Sequence, residues 1–595
     1  MPVYQAPLKE FSFILREVLE LERLSNLAAY AQAGPDLIEA VLAEGAKICE
    51  EVLLPLNRVG DSQGCTRHDD GSVSTPEGFK AAYRTFVEGG WPGLACDPAY
   101  GGQGMPVVLS MAFNEMITSA NMAFGMYPGL THGVYEVLRR HGSEELKKTY
   151  LPKLVSGEWS GTMNLTEPHC GTDLGLMRTR AEPQADGGYK ISGQKIFISA
   201  GEHDLAENII HLVLAKIAGA PEGIKGVSLF VVPKILVNAD GSLGARNQVS
   251  CGAIEEKMGI HGNATCVLNY DGATGYLVGE AHKGMRAMFT MMNEARLGVG
   301  LQGLSISETA YQNAVIYARE RLQGRALAGP AAPDKPADPL IVHPDIRRML
   351  MNQKAFNEGA RAFYLWVACQ ADIQRSQGQE AERAEDFLAL LTPVVKAYLT
   401  DQGFQHCVNA QQVYGGHGYI TEHGMEQFVR DARIAMIYEG ANGVQALDLV
   451  GRKLGANGGR AVYAFFGEVD ALLSECAGMA DLAEFCAPVK ETRDRLEQAT
   501  AWFLENAAAN PDHLAAGSTD YLHLFALTAL AMMWLRMARA ARAALEKGAG
   551  DRAFYESKLA TARYFMQRAL PDGAAMLTRI RTGADSMMAL DADAF

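Results

Sequence analysis

The chain has 595 residues, 48% of them hydrophobic and 21% charged, with a formal net charge of −15. That is longer than one hydrophobic core usually supports, too apolar for a long disordered span, and too acidic for a broad nucleic-acid footprint. The ten cysteines are scattered, with no CxxC pair and no His/Cys spacing of a zinc site, so they read as reduced cytosolic thiols and no metal is expected.

The N-terminus lacks a basic leader region, and its apolar positions Phe11, Phe13, Ile14, Leu15, Val18, Leu19 and Leu21 are interrupted by Arg16, Glu17 and Glu20, the pattern of an amphipathic helix. No apolar run approaches the ~20 residues of a spanning helix, so the expectation is a cytoplasmic protein without a membrane span. Helical periodicity over 37–56, 77–89 and 107–119 predicts an N-terminal helical domain, 1–156. Past Gly157 the segments 189–199, 208–216, 226–236 and 265–270 are short, rich in β-formers and bounded by turns such as Asp186-Gly187-Gly188, which predicts an inserted β domain, 157–282. Long helical segments return over 293–325, 344–376 and 384–410, a bundle spanning 283–455. The glycine-rich break at 455–459 leads to a C-terminal helical extension, 460–595, with its clearest runs at 522–545 and 551–570. The fold class is therefore multidomain and mainly α, with an inserted β domain and a C-terminal helical extension.

One stretch asks for chemistry. In Ile437-Tyr438-Glu439-Gly440-Ala441-Asn442 a carboxylate sits on a turn just before the periodic segment 444–454, and Gly440 permits a tight backbone there. Flanked by Ile434, Met436, Ile437 and Tyr438, Glu439 is expected to lose hydration and become a base for a weak C–H acid. Its alternative role is to cap the following helix, charge against dipole.

Tyr438-Glu439-Gly440, preceded by Gln412-Val413-Tyr414-Gly415-Gly416-His417-Gly418 and Arg430-Asp431-Ala432-Arg433, resembles the C-terminal signature of acyl-CoA dehydrogenases. The resemblance implies an α domain, a β-barrel domain and a four-helix bundle, with FAD as cofactor, an acyl-CoA thioester as substrate and Glu439 as the catalytic base. It extends to Met163-Asn164-Leu165-Thr166-Glu167-Pro168-His169-Cys170-Gly171-Thr172-Asp173, similar to the family's TEPxxGSD loop, and to Gly193-Gln194-Lys195-Ile196-Phe197-Ile198-Ser199. By that likeness Met163, Leu165, Thr166 and Thr172 contact flavin, Phe197 covers its ring and Ser199 offers a hydroxyl. From its own alternation, Phe197 could equally be a buried strand residue. Met163 stands where an aromatic is common, Cys170 where Ala is usual, and Ala441 where a Thr often adds a flavin hydrogen bond.

Farther on, Arg321 and Gln323 in Tyr317-Ala318-Arg319-Glu320-Arg321-Leu322-Gln323-Gly324-Arg325 resemble the residues reaching the flavin pyrophosphate of a neighbouring subunit, as Gln412 and Gly416 resemble those meeting its adenosine half. The resemblance thus implies a homodimer or a dimer of dimers. Substrate contacts fall on Thr172, Arg296, Tyr438 and Gly440, with the thioester carbonyl held by the Glu439 backbone N–H, and electron-transferring flavoprotein is the implied acceptor. Glu294 is the rival base, although Ala295 holds the relatives' position. The Pro/Ala-rich insertion 326–339 and the extension look most like family members acting on 3-methylthiopropanoyl-CoA in dimethylsulfoniopropionate breakdown; the alternative is a short- or medium-chain fatty acyl-CoA. An acyl-CoA oxidase shares the base, and a non-catalytic relative would bind DNA through a basic C-terminal region, against which the acidic balance after Arg460 speaks.

Overall fold

The computed structural model describes residues 2–31, 33–548 and 550–595. The chain packs into two compact units, one made of 44–105 and 116–298, the other of 1–43, 106–115 and 299–595.

The first unit holds the β domain. Helix Glu144–Ser156 leads into it: Ser143 caps the N-terminus by accepting from the Leu146 N–H, Glu144 and Glu145 sit against the positive dipole end, and Gly157 ends the helix at φ 78°. Strands Tyr189–Ser199, Arg180–Pro183, Asn208–Ile217, Val227–Pro233 and Thr265–Val278 pair in a closed cycle, so the sheet is a barrel whose cyclic strands leave no free edge. Trp159–Asn164 and Val249–Ile254 add to it from outside the cycle. Sequence periodicity misses Trp159–Asn164 because it is buried on both faces, parallel to Asn208–Ile217, and so shows no alternation. Inward residues including Ile191, Val213, Phe230 and Leu268 fill the barrel.

The second unit is helical. Pro344–Arg375 and Ala381–Val413 pack together, and residues 299–320 of the helix Gly284–Glu320 lie along Ala381–Val413. Gly303 and Gly403 allow that close crossing, since a Cβ on Gly403 would stand 2.2 Å from the Gly303 carbonyl oxygen. The expected helix start at Asn293 moves back to Gly284. The C-terminal extension is continuous with this bundle: its helix Pro511–Glu546 packs against Ala483–Asn506, Arg552–Arg568 and Asp572–Thr582, and also against Pro344–Arg375 and Ala381–Val413. Trp534 Nε1 donates to the Ala355 carbonyl at 3.1 Å.

The expectation of no sufficiently apolar run needs correcting. Pro511–Glu546 is long and apolar enough to cross a membrane, but 89% of its most apolar stretch is buried inside the protein. Its apolar faces are already covered by neighbouring helices, Asn442–Asp448 and Arg460–Cys476 among them, which is how a central core helix comes to have the composition of a span. The ten cysteines are all free, most of them buried.

Buried imidazoles set an acid limit on stability. Burial pushes His203 and His211 in the barrel unit, and His406 in the helical unit, down to about 3. In the unfolded chain they titrate near 6.5, so their contribution is complete above about pH 6.5 and is lost as pH falls from there toward 3, at about 1.4 kcal/mol per pH unit for each. Glu115 works in the opposite direction. Burial, only partly offset by the Arg361 ion pair, pushes its carboxyl up to about 6, so acidification from 6 toward 4.5 relieves at most about 2 kcal/mol. Glu10 and Asp372, also raised by burial, act with Glu115, but the three imidazoles carry the larger shifts. The thermal midpoint is expected to fall steadily between pH 6.5 and 5; a midpoint that holds or rises over that interval would refute this account.

Candidate active site

The residues singled out from sequence divide between the two units. In the barrel unit, the loop after Trp159–Asn164 and the end of Tyr189–Ser199 are tied together. Ile196 N–H donates to the Thr166 carbonyl at 3.0 Å, and Lys195 Nζ donates to the Leu165 carbonyl at 2.9 Å. Met163, Leu165 and Thr166 are thereby held half-buried beside Phe197 and Ser199.

The anchor of this arrangement is a buried ion pair that sequence reading missed. Lys195 Nζ lies 2.9 Å from Glu167 Oε1, with side-chain exposures of 0% and 3%. The Glu167 carboxylate also accepts from the Arg178 and Thr179 N–H groups and from the Thr179 hydroxyl. Burial raises the Glu167 pKa, but Lys195 and these donors together outweigh it and leave the carboxyl below its ordinary range; burial lowers that of Lys195 despite its partner. Reciprocal bonds between Glu167 and Cys170 close the loop, leaving Thr172 exposed beyond it.

Phe197 is not a plain buried strand residue. Between the pairs Cys266↔Ile198 and Leu268↔Lys195 the strand carries two residues opposite one, a bulge. Phe197 takes the extra place at φ 59° and is 60% exposed. A left-handed, exposed phenylalanine costs free energy that the fold must supply, and such strain gathers at functional sites. A projecting aromatic beside the hydroxyls of Thr166 and Ser199 suits a flat, heteroatom-edged ring, so this patch fits a flavin.

Arg296 is buried in the same unit with its guanidinium over the Phe289 ring, 5.9 Å from the centroid. Ligand atoms of Glu294, Glu136 and His132 lie within 4.8 Å of one another, and Arg139 pairs with Glu136 at 2.8 Å. Glu294 is thus engaged in a charged cluster.

The helical unit carries Glu439. Helix Met425–Arg433 and the short turn Ile434–Met436 deliver the chain to it, and Asn442–Asp448 begins just after. Glu439 and Gly440 are both left-handed, at φ 57° and 85°, so the carboxylate stands on the turn expected from sequence. It is half-buried. The turn is clamped: Lys396 Nζ donates to the Gly440 carbonyl and to Asn442 Oδ1, each at 2.8 Å, and Gln445 Nε2 donates to the Glu439 and Gly440 carbonyls at 3.2 Å. Tyr438 hydroxyl donates to Gln302 Oε1 at 2.5 Å; burial and the neighbouring Glu439 charge hold the phenol well above its ordinary range. Ala441 is the N-cap and makes no side-chain cap bond.

At one end of this unit Tyr317 stacks on Tyr414, centroids 4.0 Å apart, and its hydroxyl meets His417 Nδ1 at 2.7 Å. This joins the end of Gly284–Glu320 to the glycine turn after Ala381–Val413. Arg321, Gln323, Gln412 and Gly416 flank these anchors in the chain and are exposed. The insertion 326–339 folds back on itself around buried Asp338, which accepts from the Ala326 and Ala332 N–H groups and from Arg325.

Comparison with known proteins gives the family. Residues 63–158, 162–273 and 282–454 match the N-terminal, middle and C-terminal domains of acyl-CoA dehydrogenase, and 465–591 match the description "Acetyl-CoA dehydrogenase C-terminal like". A 3-methylmercaptopropionyl-CoA dehydrogenase of Ruegeria pomeroyi is 42% identical over 98% of this chain and 99% of its own. A butyryl-CoA dehydrogenase of Syntrophomonas wolfei is 35% identical over 100% and 99%. Among solved structures, an acyl-CoA dehydrogenase complexed with FAD from Bacillus anthracis aligns with a TM-score of 0.74 at 20% identity, covering 94% of this chain and 90% of that one. Sequence likeness of this extent over the whole chain settles the family: the protein belongs to the acyl-CoA dehydrogenases.

Proposed function

We propose that this acyl-CoA dehydrogenase oxidises a short acyl-CoA thioester, 3-methylthiopropanoyl-CoA to 3-methylthioacryloyl-CoA, with Glu439 as the base. The carbon alpha to the thioester carbonyl loses its proton to the Glu439 carboxylate as the α,β double bond forms. FAD, when bound, supplies the acceptor for the hydride leaving the beta carbon. The Glu439 N–H is assigned to the thioester carbonyl, where a fixed donor stabilises developing enolate charge. The observation that carries this reading is the left-handed turn at Glu439 and Gly440, held by Lys396, Asn442 and Gln445. A carboxylate that merely capped a helix would need no such clamp.

The substrate follows from the 42% identity to a 3-methylmercaptopropionyl-CoA dehydrogenase against 35% to a butyryl-CoA dehydrogenase. Pocket physics discriminates weakly here, because a thioether has about the volume of a methylene and one methylene is worth ~1–3 kcal/mol. Butyryl-CoA is the second reading. The test is anaerobic titration with a panel of acyl-CoA thioesters, following bleaching of the yellow flavin. Bleaching by 3-methylthiopropanoyl-CoA at the lowest concentration is the expected result; equal or stronger response to a straight-chain thioester overturns the substrate, and no bleaching by any thioester overturns the reaction.

Electron-transferring flavoprotein is the proposed acceptor, and rapid hydrogen peroxide formation in air would point to an oxidase instead. The exposed group Arg321, Gln323, Gln412 and Gly416 supports completion of a flavin site on a second copy, hence a homodimer or a dimer of dimers. Arg321 offers a bidentate, permanently charged fork for a pyrophosphate. Light scattering is expected to find no active monomer.

A further inference from the structure

We propose that His523, on the C-terminal extension, is a positioning residue for the catalytic turn, acting through Asp401 and Asn442. The proposal rests on Glu439 being the base.

On helix Ala381–Val413 the adjacent pairs Lys396-Ala397 and Thr400-Asp401, one turn apart, share one face. All four meet the side chain of Asn442, three residues past the base. Asn442 Oδ1 accepts from Lys396 Nζ at 2.8 Å, while its Nδ2 donates to the Ala397 carbonyl at 3.2 Å, Thr400 Oγ1 at 2.9 Å and Asp401 Oδ1 at 2.6 Å. The two charged partners fix which way the amide points, because an ammonium only donates and a carboxylate only accepts. The same Lys396 donates to the Gly440 carbonyl, so Asn442 and the turn are held through one ammonium.

The second oxygen of Asp401 belongs to the extension. His523 Nε2 donates to Asp401 Oδ2 at 3.0 Å, and its ring stands edge-on to Tyr398 with centroids 5.3 Å apart. From Tyr521 to Leu535 every residue of Pro511–Glu546 is fully buried except His523. Over that stretch the core helix thus turns its one partly exposed residue toward the carboxylate that holds Asn442. His523 and Asp401 each retain 19% side-chain exposure. Without the imidazole, Asp401 can rotate toward water and loosen its bond to Asn442. The extension therefore reaches the chemistry through a chain of hydrogen bonds.

The experiment measures anaerobic flavin reduction by 3-methylthiopropanoyl-CoA or butyryl-CoA in purified holoenzyme. His523→Phe keeps a ring against Tyr398 and removes the donor; His523→Gln keeps an N–H donor. Displacing a catalytic group by about 1 Å can cost ~10²-fold, so a loosened turn is expected to slow reduction by about 10-fold. FAD content and the half-saturating thioester concentration should stay within about twofold, and His523→Gln should recover to within about threefold of wild type, a rescue that loss of packing alone would not give. Combined with Asn442→Ala, His523→Phe should add no further slowing, because both act on one contact. Wild-type rate in His523→Phe, no recovery in His523→Gln, or multiplying effects in the double variant each overturn the proposal. If His523→Phe yields no holoenzyme, Asp401→Ala is read in its place by the same criteria. Glu439→Gln run alongside separates the two failures: if it reduces its flavin at the wild-type rate, the base assignment has failed rather than the relay.

Discussion

Glu439→Gln is expected to bind FAD and thioester as the wild type does and to reduce its flavin at least ~10²-fold more slowly, the lower range for a positioned base. Glutamine preserves the size and polarity of the side chain and leaves the clamp intact, because Lys396 and Gln445 hold backbone carbonyls and Asn442 rather than the Glu439 carboxylate. Only the capacity to accept the alpha proton is lost. Glu294→Gln is the matching control. Its carboxylate lies within 4.8 Å of side-chain atoms of Glu136 and His132 and is no part of the Glu439 turn, so its effect on flavin reduction should be small. Stopped-flow bleaching under anaerobic conditions decides between them: a fast Glu439→Gln with a slow Glu294→Gln would reverse the assignment.

Lys195→Met is expected to cost on the order of 3–5 kcal/mol and to yield protein poor in FAD, because it leaves the Glu167 carboxylate in a buried site without its cation. The loop 165–172 would lose two ties at once, the ion pair and the donation from Lys195 to the Leu165 carbonyl. Glu167→Gln in the same background should recover a large part of the stability, since removing both charges abolishes the uncompensated one. It should not fully restore FAD content, because the Leu165 tie stays broken. Thermal midpoint and the ratio of flavin to protein absorbance measure the two effects. A single variant as stable as wild type would show that the pair does not anchor the loop.

Much of this architecture is written locally in the chain. Strand Tyr189–Ser199 is legible to the residue from β-branched content and flanking turns, and Pro344–Arg375 to within one residue from period and its leading proline. The turn at Glu439 is legible from Gly440, and the family from motifs that keep their order between Met163 and Gly440. These features depend on neighbours a few positions away, which is the range over which propensity and periodicity act.

Other features were decided only when distant segments met. The bulge that turns Phe197 outward exists because Val267, not a second residue, stands opposite it on another strand. The Lys195–Glu167 pair joins positions 28 apart, and neither charge announces burial in its own neighbourhood. The apolar run 511–546 reads alike for a membrane span and for a core helix, and only its packing inside the protein separates them. Asp401 and His523 lie 122 positions apart, so the bond between the extension and the base turn has no local signature. Sequence alone determined most of the elements and which residue types could do the chemistry, because local backbone preference and side-chain type are carried residue by residue. Tertiary structure alone decided which charges are sealed from water, which side chains are aimed outward and what holds the base in place, because burial and hydrogen-bond partnership are properties of pairs that the chain brings together only by folding.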